Sequence, residues 1–136
     1  MIYQKEIQLP PFKRGFHLIT DIILGELDFI PESGLLNIFI KHTSAALSLN
    51  ENADPDVRYD LESFMNKLIP ENHPSYTHIL EGSDDMPAHI KASLFGSSIN
   101  LPISNGHINT GIWQGIYLGE FRNNGGRRRI VITIIY

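Results

Sequence analysis

The segment RIVITIIY, residues 129–136, is apolar on both of its alternating faces. Successive side chains of a strand point to opposite sides, so a strand with one wet face alternates apolar and polar residues. A segment without that alternation needs cover above and below and a neighbour along each edge. Residues 129–136 are therefore expected inside a sheet. Leu35 to Lys41, LLNIFIK, has the same character and reads as a second interior strand. Two such strands demand a layered fold with other elements available as cover.

The rest of the chain supplies those elements. Ile2 to Leu9 alternates imperfectly and fits a strand, stopped by Pro10-Pro11, because proline donates no ladder hydrogen bond. Phe16 to Ile19 reads as its hairpin partner, returning through Lys13-Arg14-Gly15. Thr20 or Asp21 is placed to cap a short helix with Ile22, Ile23, Leu27 and Ile30 on one side. Ala45 to Leu49 continues or follows the 35–41 strand. Asp54-Pro55 is a helix start, and Val57, Leu61, Phe64, Met65 and Leu68 form one apolar stripe after it. Glu71 to Asp85 shows no periodicity. Pro87 to Phe95 fits a helix with Asp84 or Asp85 at its start and Gly96 beyond its end. Ser97 to Ile103, His107-Ile108, Gly111 to Phe121 and Arg128 to Tyr136 read as strands. Asn123 to Gly126 tolerates positive φ and is expected to join the last two in a hairpin. Strand-rich, with two to three helices, residues 1–136 are expected to form one α+β domain.

The composition narrows the function. The 136 residues carry 11 Lys plus Arg against 15 Asp plus Glu, a net charge of −4, and no cysteine. No basic excess is available to displace counterions from phosphates, so no nucleic-acid partner is expected. Without cysteine there is no disulfide, thiolate metal site or thiol nucleophile. No apolar run is long enough to span a membrane. The first residues, MIYQKEIQLPPFKRG, read as a strand rather than a signal peptide. A soluble cytoplasmic protein is expected. P-loop, dinucleotide, GxSxG and HExxH patterns are all missing.

Three segments hold polar residues that strand and helix formation do not require. In KHTSAALSLNEN, residues 41–52, an extended chain would put His42, Ser44, Ser48 and Asn50 on the face continuing Leu36, Ile38 and Ile40. Such a face suits a pocket wall, or Thr43, Ser44 and Asn50 bond their own backbone at a strand end. In HILEGSDDMPAHIK, residues 78–91, two imidazoles, three carboxylates and a lysine crowd together. These are zinc-type ligands and general acid–base groups. The plainer reading is a solvated acidic loop followed by a helix that Asp84 or Asp85 caps, and capping is preferred for those two. In GIWQGIYLGEF, residues 111–121, Trp113, Gly115, Tyr117, Gly119 and Phe121 share one face. Glycines between aromatics admit a ligand or simply close packing, and packing is preferred for Tyr117 to Phe121. Gln114, amid apolar neighbours, is the better pocket candidate. Arg127-Arg128-Arg129 is an anion site or a solvated turn paired with carboxylates.

The blocks KHTSAALSLNENADPDV, HILEGSDDMPAHIKASLFGSS and GIWQGIYLGEFR, followed by RRRIVIT, resemble the YjbQ-like family over essentially the whole chain. Members of that family are often labelled secondary thiamine-phosphate synthase. The resemblance implies antiparallel, sandwich-like sheets and a homotrimer. Its polar motif positions fall on His42, Thr43, Ser44, Asn50, Asp54, His78, Glu81, Asp84, His89, Lys91, Trp113, Gln114 and Glu120. Ser44 and Ser48 stand where the family commonly has threonine, and the hydroxyl is kept.

Three functions are open from the sequence, and whether the chain is an enzyme is open with them. One is a thiamine-phosphate synthase-type transferase. His42, His78, Glu81 and His89 would be its catalytic groups, and Thr43, Ser44, Asn50, Lys91, Trp113, Gln114 and Arg128 its contacts to a phosphorylated small molecule. Glu81 or Asp84 would hold magnesium in that case. The second is a metal-dependent hydrolase with zinc or a similar divalent ion on His42, His78 and His89, with Glu81 as base. The third is a non-catalytic module that binds a phosphorylated small molecule. All three assume that the distant histidines meet around one cavity.

Overall fold

The computed structural model describes residues 1–136. Eight strands form two antiparallel sheets. The larger has the order β1 (Ile2–Gln8), β8 (Arg129–Ile135), β3 (Ser33–Ile40), β5 (Ser98–Ser104), β6 (His107–Ile108). The smaller has β2 (Gly15–Leu18), β7 (Gln114–Glu120), β4 (Ala45–Glu51). Helix α1 (Thr20–Gly25) contacts β7, and α2 (Pro55–Leu68) and α3 (Asp85–Phe95) cover the outer side of the smaller sheet. The α+β class with antiparallel sheets and three helices is as expected. No helix is long and apolar enough to cross a membrane.

The two apolar segments sit where their patterning requires. β8 pairs with β1 on one side and β3 on the other. Ile130, Ile132 and Ile134 of β8 and Leu36, Ile38 and Ile40 of β3 are buried against Leu47, Ile116 and Leu118 of the smaller sheet. Their opposite faces are only partly covered: Leu35, Phe39 and Ile135 remain substantially exposed. A second cluster, Phe16, Ala46, Ala88, Tyr117 and Phe121, joins the smaller sheet to the helices. The glycines of β7 serve packing. A Cβ at Gly115 would lie 2.5 Å from the Leu18 side chain, and one at Gly119 would lie 2.6 Å from the Phe121 ring.

Two expected hairpins are corrected: β1 and β2 do not pair, and neither do β7 and β8 across Asn123 to Gly126. Of the two alternatives for Ala45 to Leu49, the strand follows β3 and does not continue it, since β4 lies in the other sheet. In each case the chain crosses from one sheet to the other. Alternation reveals which residues face the core, but partner choice is set by long-range pairing. The one tight hairpin is β5–β6, where Asn105 (φ 52°) and Gly106 (φ 74°) make a two-residue turn. Positive φ at both central residues matches the twist of the flanking strands. In α2 the apolar stripe is also narrower than expected. Met65 is buried, whereas Phe64 and Leu68 face outward. Asp54 caps this helix as predicted, its carboxylate accepting from the Asp56 N–H at 2.9 Å.

Candidate functional site

The crossing from β3 to β4, the start of α3 and the exit from β7 meet at one end of the smaller sheet. Helix α3 begins with two buried carboxylates, Asp84 and Asp85. Asp84 occupies the cap position but makes no capping bond. Arg122, just past β7, takes both acids instead. Its Nε donates to Asp84 Oδ2 at 2.9 Å, its Nη1 to Asp85 Oδ1 at 2.5 Å, and its Nη2 to the Glu81 carbonyl at 3.0 Å. The Asn123 N–H adds a bond to Asp84 Oδ2 at 2.9 Å. The preference for capping is thus corrected: the Arg122 guanidinium brings a full positive charge as well as several donors in one plane, and the two carboxylates turn to it. Burial opposes ionisation of both acids. For Asp84 the Asn123 N–H and Arg122 outweigh it, and for Asp85 His78, His89 and Arg122 do, so both carboxyls lie below their usual pKa.

The second oxygen of Asp85 faces two imidazoles. His78 Nε2 lies 2.6 Å from it and His89 Nε2 lies 3.1 Å from it. His89 is four residues on from Asp85 along α3, on the same helix face. His78 comes from the loop before the helix. The ligand atoms of His78, Asp85 and His89 all lie within 4.8 Å of one another. His89 Nδ1 is 2.9 Å from the Thr43 carbonyl oxygen, which can only accept. His89 therefore carries its proton on Nδ1, and in the neutral ring Nε2 presents a lone pair to the carboxylate.

His42 is not part of this triangle, contrary to the expected three-histidine set. Its Nε2 accepts from the Arg129 N–H at 2.8 Å, and its Nδ1 stands 3.4 Å from Arg128 Nη1. Burial and then the Arg128 charge push its pKa below the usual value. Through Nε2, the one acceptor of the neutral ring, His42 braces the crossing against β8. It does share a cavity of about 360 Å³ with His89, Thr43, Ser93, Gly96 and Ser97.

The expected phosphate-binding cations are occupied internally. Arg128 is buried and holds the fully buried Glu120 through Nε–Oε1 at 2.8 Å and Nη2–Oε2 at 2.6 Å. Its Nη2 also donates to the Ser44 carbonyl at 3.3 Å. Lys91, also buried, donates to Asn66 Oδ1 at 2.7 Å and lies over the Phe121 ring. Burial, then the nearby Arg14, pulls its pKa below the usual range. Glu81 is exposed and enters the cluster only through its carbonyl.

Three more candidates lie elsewhere. In the β4–β7 register Ala45 faces Glu120 and Glu51 faces Gln114. Six strand steps, roughly 20 Å, therefore separate Asn50, Trp113 and Gln114 from the cluster. Asn50 Oδ1 accepts from the neighbouring Glu51 N–H at 2.8 Å, the plain backbone role. Trp113 is exposed, and Gln114 Oε1 accepts from the Gly111 N–H at 2.8 Å. Sequence reasoning missed Arg122, for which one chain carries no signal. It underrated Asp85, whose Asp-x3-His spacing to His89 was visible.

The family model for UPF0047 YjbQ-like proteins matches residues 5–136. The chain belongs to the YjbQ-like family. It is 52% identical over 136 residues to the UPF0047 protein YjbQ of Escherichia coli O157:H7, covering 98% of each. It is 46% identical over 115 residues to a UPF0047 protein of Methanocaldococcus jannaschii, covering 82% of this chain and 79% of the other. Among solved structures, a conserved hypothetical protein of Thermus thermophilus superposes with a TM-score of 0.81 at 33% identity, covering 95% of this chain and 97% of that one. A YbjQ-like protein of unknown function from Sulfolobus solfataricus gives 0.83 at 24% identity, with 98% and 96% covered, a likeness of fold. The YjbQ-like family carries no established reaction in these relatives' names, so the chemistry rests on the geometry.

Proposed function

We propose that this YjbQ-like protein is a metal-dependent enzyme that carries out metal-assisted hydrolysis, its divalent ion held by His78, Asp85 and His89. One observation carries the reading. The Thr43 carbonyl keeps the His89 proton on Nδ1, yet His89 Nε2 faces an oxygen of ionised Asp85 at 3.1 Å. Two lone pairs at that distance call for a cation between them or a protonated ring. His78 aims a second Nε2 at the same oxygen. Atoms bound to zinc at about 2.0–2.2 Å stand about 3.0–3.5 Å apart; the His89–Asp85 contact at 3.1 Å lies in that range, whereas the His78–Asp85 contact at 2.6 Å is a direct hydrogen bond that would lengthen around an ion. A backbone carbonyl on the outer nitrogen is the usual support for a ligating histidine.

Two nitrogens and one oxygen suit zinc or a similar transition ion better than magnesium, which prefers oxygen alone. Three protein ligands leave a position for substrate. Such an ion would supply Lewis acidity toward a substrate oxygen. Arg122 fixes the far oxygen of Asp85, while Glu81, the base expected from the sequence, reaches the cluster only through its carbonyl. The 360 Å³ cavity beside His89 is the place for the substrate. The thiamine-phosphate synthase-type transfer has less support, because Lys91 and Arg128 already have internal partners.

Elemental analysis after zinc dialysis tests the proposal. About one equivalent is expected in the wild type, and less than about 0.1 in Asp85→Ala or His78→Ala/His89→Ala. A wild type that retains no metal overturns it. Stoichiometric metal without turnover on ester or phosphoester substrates leaves the binding-module reading in its place.

A further inference from the structure

A second cavity lies between the two sheets, at the opposite end of β7 from Arg122. Its volume is about 230 Å³. Leu101 and Ile108 of the larger sheet form one wall, Leu49 and Ile116 of the smaller sheet the other, with Leu24 of α1 and Ile30 closing it. Cavities of about 150 Å³ lined by such side chains accommodate benzene. The space therefore admits a single ring with a small substituent.

Two polar groups at this cavity have determined roles. His107 Nδ1 lies 2.7 Å from the Asn105 carbonyl, so that nitrogen carries the proton and Nε2 of the neutral ring is an acceptor. His107 Nε2 has no partner within the chain. Gln114 Oε1 is taken by the Gly111 N–H, which leaves the Nε2 amide group as an unused donor. Thr20, whose hydroxyl accepts from the Ile116 N–H, and Thr110 also line the cavity; the imidazole acceptor and the amide donor beside these hydroxyls are complementary to an apolar ring bearing a hydroxyl or ring amide. The Asn105-Gly106 turn places His107 here, and no step of the proposed metal chemistry uses either residue.

We infer that this inter-sheet cavity is a binding site for a small aromatic molecule carrying one O–H or N–H group, read by His107 and Gln114. Phenol and toluene are suitable probes, since they share the ring and differ in the polar group. Amide shifts of the full-length protein would be followed by NMR during each titration. Phenol is expected to shift Leu49, Ile108 and Gln114 saturably and to bind at least about fivefold more tightly than toluene, the worth of one hydrogen bond. His107→Ala, an exposed position, is expected to erase that preference while leaving toluene binding within about twofold. Ile108→Phe fills the chamber and is expected to abolish binding of both, with thermal melting reporting that the fold persists. Asp85→Ala is expected to leave phenol binding unchanged, so this inference stands or falls separately from the metal proposal. It is overturned if phenol causes no saturable shift up to about 10 mM. Equal binding of phenol and toluene, a preference that survives His107→Ala, or shifts centred on His89 overturn it as well.

Discussion

His89 Nδ1 hydrogen-bonds the main-chain carbonyl of Thr43 at 2.9 Å, across 46 residues of sequence. This bond ties α3 to the crossing between the sheets and sets which ring nitrogen faces Asp85. Because the partner is main chain, Thr43→Ala is expected to leave the His89 tautomer unchanged, whereas Asp85→Ala removes what Nε2 faces. Nitrogen-15 chemical shifts of the imidazole check this. Metal-free wild type should show the Nδ1-protonated ring or the imidazolium, and zinc should shift Nε2 alone. An Nε2-protonated neutral ring would refute the assignment.

Arg122 neutralises two acids that are almost without solvent contact. Arg122→Ala leaves both carboxylates short of their cation, and a loss of about 3 kcal/mol in urea unfolding is expected. The acid limb follows from the same pair. Asp84 and Asp85 have pKa values below the ordinary 3.8 when folded. Their contribution is present above pH 3.8 and drains away as pH falls from there through the folded values. Wild type should lose stability steeply in that window. The variant, which has already lost the Arg122 partner, should show a shallower slope.

Gly125 rests on the Glu120 carboxylate. A Cβ there would lie 2.0 Å from Glu120 Oε1, which Arg128 holds in place. Gly125→Ala is expected to cost about 2 kcal/mol through overpacking. Where Glu120→Asp has already shortened the acid, the same change should cost less. A double-mutant cycle in urea measures the coupling, and strict additivity would contradict the contact.

His42 is held neutral, first by burial and then by Arg128. Its folded pKa lies below the ordinary 6.5, so its contribution is full above 6.5 and is lost as pH falls from there through the folded value. Wild type should therefore weaken between about pH 7.5 and 5.5, and His42→Gln should remove this part of the slope. Urea midpoints at the two pH values provide the comparison. An unchanged slope in the variant would assign the effect to another histidine.

Patterning identified most elements correctly. The interior strands, the Asp54-Pro55 helix start and the alternating faces of β7 follow from local periodicity, because burial imprints period two or 3.6 on a single segment. Two expected hairpins failed, and the β3–β4 connection stayed open, for a shared reason. Lys41 to Ser44, Pro10 to Arg14 and Phe121 to Arg128 carry turn-forming or charged residues compatible with either a hairpin or a change of sheet. The energies that choose between them come from partners far away in the chain.

The site divides along the same line. Residue chemistry alone marked His78, His89 and their neighbouring acids as a group with ligand capacity, beside the plainer reading of an acidic loop before a capped helix. Only the tertiary structure decided that Asp85 is the meeting point, that His42 belongs to a brace, and that Lys91 and Arg128 are spent internally. A side chain's identity determines what bonds it is able to make. Which bond it makes depends on what the folded chain brings within about 3 Å: Thr43 arrives from the crossing between β3 and β4, Arg122 and Glu120 from the end of β7.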